Sequence, residues 1–450
     1  MSKTAHGGMA HGAATTGGIS LDGFKEVFGI RDFRNLFWGQ AISALGDWVG
    51  TLAFIIAAKS LAPDRPAAVG LVLVLRLLPA FFATPLGGVL SDRIDRKKIM
   101  IASNIAQFAI IAAVPFVPRI GALYAFAFVS EAFSLVFLPA RDASLPNMIP
   151  AERLEAANAM IMGSSYGGIP LAGPVFGVLA WVGARYPASL AGEHIFRMRP
   201  YSFALIFDAL TFLVSAAFIW KMRAGFNPDH HAPADESFFE AIEEGARYIK
   251  KRPLHRNLTF AVSVAMLGGG VLFALGASYV GDTLGGGNVA FGWLMGIFGA
   301  GMVGGFFVSQ WKPAQGSLWM IRIALLTMGA VLVAMGIFSW LVLAYAVAVV
   351  FGAAFSVSLI VAMSMVQTRT DDEHRGRVMA AVHMLVRAAL SLGALGTAGG
   401  ATLVPDRGLH VLGLTADKNQ VALIVAGALI AAGTIGVRGA AHQVPDAASL

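Results

Sequence analysis

The sequence predicts an all-α polytopic membrane protein whose twelve transmembrane helices form two repeats of six. Of its 450 residues, 57% are hydrophobic and only 13% are charged, and the mean hydropathy is +0.70. In soluble domains about a quarter of all residues are charged, so this composition favours a membrane protein. Apolar tracts of about 20 residues recur along the chain, and each is long enough to cross a hydrocarbon core of about 30 Å.

Charge clusters, prolines and glycines divide the apolar tracts into two sets of six, which we number as spans one to twelve. The first set is expected at residues 35–59, 67–90, 98–117, 121–141, 157–182 and 201–221. The second set is expected at residues 257–281, 288–311, 319–338, 340–367, 378–401 and 419–438. We interpret the sets as structural repeats. The resulting domains are an N-terminal tail 1–34, a six-helix bundle 35–221, a linker 222–256, a second bundle 257–438 and a C-terminal tail 439–450.

The N-terminal residues 1–24 are rich in Gly, Ala and His and lack the apolar core and cleavage site of a signal peptide. We expect a disordered cytoplasmic tail there, in which His6 and His11 make a poor metal site. The chain contains no cysteine, which excludes disulfides and thiolate metal ligands. We expect no metal and no cofactor.

Lysine and arginine are concentrated in the loops on one side of the predicted bundle. That side contains the cluster from Arg93 to Lys98, the linker and both chain termini. Basic residues favour the cytoplasmic side of a membrane, so we expect both termini in the cytoplasm. The net charge of +7 follows from this topology and requires no nucleic-acid partner.

The linker contains a predicted amphipathic helix. Its apolar stripe consists of Phe238, Phe239, Ile242, Ala246 and Ile249, and the charged residues face away from it. Two interpretations are open. The helix lies on the cytoplasmic membrane surface, or it is a solvated linker helix that packs against the bundle.

Two short strings resemble enzyme motifs, GSSYG at Gly163–Gly167 and GAGMVG at Gly299–Gly304. Both lie inside predicted membrane helices and lack the strand, turn and helix that such motifs need. Small residues there allow close helix packing instead. The polar intervals are also too short for a nucleotide-binding domain, and no Gly-Lys dipeptide is available for a P-loop. We expect no catalytic residues and no enzyme activity.

The loop between spans two and three reads GGVLSDRIDRKK. Together with the twelve spans in two sets, the cytoplasmic termini and the central linker, this loop resembles the major facilitator superfamily, whose loop has the pattern G-x-x-x-D-R-x-G-R-K/R. The matching residues are Gly88, Asp92, Arg93, Arg96 and Lys97, with Asp95 where the pattern has Gly. The resemblance implies the major facilitator fold. It also implies a conformational role for the loop.

Two residues of this loop carry that role. Gly88 is expected to let neighbouring helices approach closely. The resemblance implies that Asp92 accepts hydrogen bonds from the positive N-terminus of span eleven, which follows the string DDEHRGRV. That bond requires the cytoplasmic side to be closed.

Span five contains GIPLAGPVFG, which is similar to the so-called antiporter motif of the same superfamily. The matching residues are Gly168, Gly173, Pro174 and Gly177. We expect them to pack against span eight, which is also rich in glycine at Gly292, Gly296, Gly301, Gly304 and Gly305. Generic helix packing in any polytopic protein is the alternative.

Three further strings resemble the drug:proton antiporter branch, which includes macrolide efflux proteins and exporters of enterobactin-type siderophores. They are FRNLFWGQAISALGDWVG in span one, FLPARDASLPNMIPAERLEAANAM from Phe137 and QTRTDDEHRGRVMAAVHM from Gln367. The resemblance implies proton-driven export of a small-molecule substrate by a monomer surrounded by lipid in the bacterial inner membrane. The proton gradient would be the energy source. The alternatives are a lysophospholipid carrier of the same superfamily and a non-transporting membrane receptor or scaffold.

Ionisable groups inside spans cost roughly 2.5 to 3.5 kcal/mol each on insertion scales, so each is a functional candidate. We expect Asp47 and Glu131, near the middles of spans one and four, to be proton or substrate-cation sites. For Asp47 the alternative is a fixed ion pair with Arg76 on span two. For Glu131 the alternative is a hydrogen-bonded structural acid.

Three further candidates lie in spans six and eleven. Asp208 is close enough to the outer end of span six to reach water, which would leave it without a function. His383 and Arg387 share one face of span eleven, where one could shuttle protons and the other bind anions. Alternatively, Arg387 braces the interface between the two halves.

Overall fold

The structure is a computed structural model. It describes residues 21–63, 65, 67–117, 119–185, 199, 201–223, 238–311, 317–401, 409–411 and 414–437. Among these residues, eleven helices are long and apolar enough to cross a membrane, and the shorter apolar helix Lys418–Gly433 is the twelfth span. The predicted all-α architecture of twelve helices is confirmed. His6 and His11 lie outside the described residues.

The first repeat contains six spans, two of which are interrupted. The helices are Arg31–Leu61 for span one, Ala67–Leu77 and Ala80–Ser91 for span two, Arg96–Ala113 for span three, Ile120–Met148 for span four, Leu154–Tyr166 and Ile169–Arg185 for span five and Ser202–Trp220 for span six. Span two breaks before Pro79, which has no amide hydrogen to continue the helical ladder. Span five breaks at the pair Gly167–Gly168, since glycine is a weak helix former.

The second repeat is more continuous. Its helices are Pro253–Ser278 with the π-helical turn Tyr279–Thr283 for span seven, Gly287–Ser309 for span eight, Leu318–Ile337 for span nine, Leu341–Thr368 for span ten, Asp372–Ala401 for span eleven and Lys418–Gly433 for span twelve. A short antiparallel ribbon, in which Leu409–Val411 pairs with Leu414–Ala416, precedes span twelve. The sequence did not predict this ribbon.

The expected disorder of residues 1–24 is wrong for the part that the structure describes. Residues Leu21–Gly29 form a helix. Val27 is fully buried, and it belongs to an apolar cluster that also contains Phe33 of span one and Ala157 of span five. The apolar side chains of this helix pack against spans one and five. The composition of residues 1–24 alone could not predict that contact.

The linker helix Phe238–Lys251 packs against the bundle, which is the second of the two interpretations. Gly245 lies against the backbone of Arg377 in span eleven, and a Cβ atom at this glycine would collide with it. The Glu244 carboxylate accepts a hydrogen bond of 2.8 Å from Arg377. Tyr248 and Ile249 are buried, whereas Ala246 of the expected stripe is exposed. The buried face is thus rotated relative to the predicted one.

Asp371, just before span eleven, forms hydrogen bonds with the C-terminal end of the linker helix and with the residue that follows it. It accepts hydrogen bonds of 3.1 Å from Tyr248 Oη and from Arg252. The hydrogen bond from Tyr248, together with the charge of Arg252, lowers the pKa of the Asp371 carboxyl. Asp371 therefore stays ionised at neutral pH, and this attachment does not change with physiological pH.

The two repeats meet at the end of the bundle opposite the linker, which we call the far end. There the Lys59 ammonium, at the end of span one, lies 2.8 Å from an Asp282 carboxylate oxygen and donates to the Ala277 carbonyl at 3.1 Å. Span two is also close to span eleven, because a Cβ at Gly70 would lie 2.9 Å from the Ala394 carbonyl oxygen.

Toward the end that contains the linker helix, which we call the linker end, the repeats separate. Span five approaches span eight at Gly173 and Gly177. Nearer the linker end, a Cβ added at Gly163 of span five or at Gly304 of span eight would meet nothing within 4 Å. The far-end halves of spans two and five, Ala67–Leu77 and Ile169–Arg185, pack against spans eleven and eight, whereas the linker-end halves Ala80–Ser91 and Leu154–Tyr166 do not pack closely against the described part of the second repeat. The repeats are therefore closed at the far end and apart at the linker end.

Candidate functional site

A cavity of about 720 Å³ lies between the two repeats. Its walls come from spans two, four and five of the first repeat and from span eleven of the second. The lining is mostly apolar and includes Leu77, Leu78, Leu135, Leu138, Leu392 and Leu395. Its volume and lining resemble those of drug-sized ligand sites, which are about 300–1,000 Å³ and predominantly apolar.

An ion cluster from three spans lies beside this cavity. The Arg76 guanidinium donates to an Asp47 carboxylate oxygen and to a Glu131 carboxylate oxygen, each at 3.3 Å. Arg76 directly precedes the lining residue Leu77, and Glu131 is one helical turn from the lining residue Leu135. The structure therefore brings together three of the residues that the sequence singled out.

The local sequence positions each member of the cluster. Arg76 lies two residues before the break in span two, and its guanidinium lies 5.6 Å from the centre of the Phe54 ring. Trp48, next to Asp47, donates from Nε1 to the Ser165 carbonyl of span five at 3.2 Å. These contacts anchor span one and the guanidinium at the level of the cavity. Trp48 and Phe54 could not be recognised as part of this site from the sequence, because neither carries charge.

Asp208 lies behind this cluster and does not reach water, so that interpretation is wrong. Its side chain is fully buried, and within the described residues neither carboxylate oxygen has a hydrogen-bond partner. The carboxyl packs over Gly46 and Gly50 of span one, where added Cβ atoms would collide with it. The spacing Gly-x-x-x-Gly allows span six to approach span one this closely.

Span eleven presents His383 and Arg387 to the opposite wall of the cavity. Its helical period also brings Ala380, Met384, Ser391 and Leu395 to this wall. Within the described part of the chain, no hydrogen bond or ion pair joins the Arg387 side chain to the first repeat. The expected brace between the halves is therefore not made in this conformation.

The loop between spans two and three holds the first repeat together. Arg96 donates to the Ala143 carbonyl of span four at 2.6 Å, and Lys97 donates to the Met222 carbonyl after span six, also at 2.6 Å. Arg93 is exposed. Asp95, which stands where the family pattern has Gly, caps span three by accepting hydrogen bonds from the Lys97 and Lys98 amides.

Two expectations for this loop differ from the structure. A Cβ at Gly88 would meet nothing within 4 Å, so Gly88 permits no close helix contact in this conformation. Asp92 is exposed and, among the described residues, makes no hydrogen bond to span eleven. Separation of the repeats at the linker end accounts for both differences, because the expected partner helix lies elsewhere.

The span-five motif packs mostly as expected. Gly173 and Pro174 meet Gly296 of span eight, and Gly177 lies beside Gly292. Gly168, however, contacts Leu45 of span one. The remaining span-eight glycines do not pack against span five as expected. Gly301 and Gly305 face span ten, and Gly304 faces open space.

Two polar residues on the cavity's linker side were not expected to belong to the site. Asp142 lines the cavity and pairs with the buried Arg141 at 2.8 Å. Both belong to span four, whose helix continues to Met148 and so extends beyond the predicted end at residue 141. No group of three or more potential metal ligands occurs among the residues that the structure describes.

A family model described as the Major Facilitator Superfamily matches residues 36–394. The MFS-type transporter YfiS of Bacillus subtilis is 28% identical over 383 residues, covering 81% of this chain and 87% of YfiS. BacE of the same organism, named as a candidate bacilysin exporter, is 27% identical over 378 residues, covering 80% of this chain and 86% of BacE.

Solved structures share the fold. A bacterial homolog of the human lysosomal transporter Spinster, in an inward-facing and occupied conformation, has a TM-score of 0.72 at 14% identity, covering 92% of this chain and 96% of that chain. The nucleoside transporter NupG has a TM-score of 0.62 at 12% identity, covering 93% and 99%. At these identities the likeness describes the architecture alone.

Proposed function

Because the chain belongs to the major facilitator superfamily of membrane transporters, we propose that it exports small amphipathic molecules by proton-coupled alternating access. It is a multi-pass membrane transporter and not an enzyme. We further propose that it belongs to the drug:proton antiporter branch. It would work as a monomer in the bacterial inner membrane, with its linker end facing the cytoplasm. The relatives named as candidate bacilysin exporters support the direction of transport.

The observation that carries the proposal is the bridge from Arg76 to Asp47 and Glu131, beside a cavity between separated repeats. One guanidinium is shared by two carboxylates, so the net charge of the three groups is −1 when both acids are ionised and zero when one of them is protonated. A proton on Glu131 or Asp47 would weaken that partner's bond to Arg76 and leave the guanidinium paired with the other carboxylate. Proton binding at the cavity is thereby linked to the positions of spans one, two and four.

Asp208 adds a third carboxyl to the same neighbourhood. If all three carboxyls were ionised, Arg76 would leave a net charge of −2 on these four groups, and the fully buried Asp208 would carry its charge without a partner. Burying such charge without partners costs several kcal/mol per ion even after relaxation. We therefore assign a proton to Asp208 in this conformation, which lets its carboxyl lie against Gly46 and Gly50 without an ionic partner.

In the proposed cycle, the conformation described here takes substrate from the cytoplasm into the cavity. The repeats then rock so that the linker end closes and the far end opens. Closure would bring Asp92 to the N-terminus of span eleven, and opening would break the contact between Lys59 and Asp282. A proton that enters from outside neutralises a carboxylate of the cluster as the substrate leaves.

An accumulation assay tests the proposed function. Cells that overexpress the protein would be compared with empty-vector cells for a macrolide, a catecholate siderophore, ethidium and a lysophospholipid. We expect lower accumulation of at least one amphipathic drug-like compound, and a protonophore should restore it to the vector level. Arg76→Gln should abolish the effect, whereas Arg247→Gln on the exposed face of the linker helix should preserve it.

Two results would contradict the proposal. Unchanged accumulation of every compound would favour a receptor or scaffold. Transport confined to the lysophospholipid and insensitive to the protonophore would favour a lipid carrier.

A further inference from the structure

Arg387 is a charged side chain on an apolar wall. Among the described residues, no carboxylate pairs with it, and its backbone carbonyl accepts the Ser391 hydroxyl at 3.0 Å. The buried arginine of the first repeat differs, because Arg76 contacts two carboxylates. Charged groups at membrane depth normally pair with one another or with backbone carbonyls, so an arginine that only lines a cavity is expected to pair with what enters it.

Arg387 lies at about the level of the ion cluster. Gly70 of span two contacts span eleven at Ala394. From that contact toward the linker end, Arg76 is about 9 Å along span two and Arg387 about 10 Å along span eleven, at a rise of about 1.5 Å per residue. A molecule in the cavity therefore meets Arg387 on one wall while it lies beside the cluster on the other.

The neighbours of Arg387 favour an anion. His383 lies one turn toward the linker end on the same wall and supplies a further potential donor. The acidic residue that lines the cavity, Asp142, is more than half exposed and already pairs with Arg141. The remaining wall is largely leucine, valine and methionine, which suits an apolar body.

We propose that Arg387 recognises an anionic group on the transported molecule, so that the substrate class is amphipathic anions and zwitterions with a carboxylate, phosphate or sulfonate attached to an apolar body. The planar guanidinium fork binds such groups in a bidentate manner, and the apolar surroundings strengthen the pair. That the bound anion is the transported substrate rests on the proposed function. The binding site itself does not require a proton gradient.

The test compares two probes that share one ring system. 1-Anilinonaphthalene-8-sulfonate carries an anionic group, and N-phenyl-1-naphthylamine lacks it. Binding of each probe would be measured on the full-length protein in nanodiscs, without a pH gradient, after subtraction of the signal from empty nanodiscs. The variants are Arg387→Gln, Arg387→Lys and the control Arg247→Gln, whose arginine is exposed on the linker helix.

We expect Arg387→Gln to weaken binding of the sulfonate about tenfold or more, since charge-assisted hydrogen bonds are among the strong ones. Binding of the neutral probe should not change, which also shows that the cavity remains folded. Arg387→Lys should recover part of the sulfonate affinity, and Arg247→Gln should match the wild type for both probes.

Equal sulfonate binding by the wild type and Arg387→Gln would overturn the proposal, as would a wild type that binds only the neutral probe. Equal loss of both probes in Arg387→Gln, without recovery in Arg387→Lys, would instead identify Arg387 as a structural brace. Failure of the proposed export is distinguishable, because Arg387-dependent binding would persist in a protein that moves no compound.

Discussion

At the scale of single residues, acids that look equivalent in the sequence have different roles. Asp92 and Asp95 lie in the same short loop, yet Asp92 is exposed while Asp95 caps span three. A capping carboxylate satisfies amide hydrogens that the first helical turn leaves without partners. The departure from the family pattern at Asp95 therefore has a local structural reason. Asp92 is the acid of this loop for which we propose a conformational role.

This division predicts opposite outcomes for two substitutions. Asp95→Ala removes both hydrogen bonds to the Lys97 and Lys98 amides, so it should lower the free energy of unfolding by about 1 kcal/mol. Asp92→Asn should leave that free energy unchanged and slow transport, because it weakens the contact expected in the closed state. Unfolding of the purified variants in detergent and transport in vesicles measure the two effects. Equal stability losses, or normal transport by Asp92→Asn, would contradict this assignment.

The charged residues of the ion cluster could be predicted from the sequence, whereas their neighbours on other helices could not. Membrane charges identified Asp47, Arg76 and Glu131 as candidates, because an ionised group in an apolar tract is conspicuous. The environment of Asp208 could not be predicted in this way. Its burial depends on Gly46 and Gly50 of a different helix, and distance along span six says nothing about that neighbour.

At the scale of helices, glycine determines how closely the repeats approach. Gly173 of span five lies against the backbone of Gly292 and Gly296 in span eight, so it has no room for a side chain. Backbone cannot move aside as a flexible side chain can. In the proposed cycle, this close contact between spans five and eight is where the repeats would rock.

A matched pair of glycines tests this element. Gly173→Ala forces spans five and eight apart, and overpacking of this kind costs about 1–3 kcal/mol. We expect a clearly lower melting temperature and loss of transport. Gly163→Ala, in the same span but facing open space, should be neutral or slightly stabilising because alanine is the better helix former. Similar melting temperatures for the two variants would show that the close approach does not hold the repeats together.

The helices themselves were largely predictable, and their faces were less so. Charges and prolines mark the ends of apolar tracts, which is why predicted and observed spans overlap along the whole bundle. Span four was predicted too short, since its last turns carry polar residues that a hydropathy pattern assigns to a loop. The contacts of Gly168, Gly301 and Gly305 depend on neighbouring helices, so the motif alone could not identify them.

At the scale of the whole molecule, one conformation accounts for several separate observations. The far end is closed by Lys59 and Asp282, the linker end is apart, and Asp92 has no contact with span eleven. The cavity between the separated repeats contains Arg387 on one wall and lies beside the Arg76 cluster on the other. Composition and topology predicted the two repeats, whereas the conformation is a property of tertiary packing alone.

In the proposed cycle, protonation of the carboxyl cluster is coupled to substrate movement. The most direct test of this coupling is the proton movement that substrate causes in proteoliposomes containing a pH-sensitive dye, using a compound that the accumulation assay identifies. We predict that the wild type and the control Glu243→Gln, on the exposed face of the linker helix, move protons when substrate is added. Glu131→Gln should abolish this signal and retain substrate binding. Undiminished substrate-coupled proton movement in Glu131→Gln would contradict the assignment of coupling to that residue.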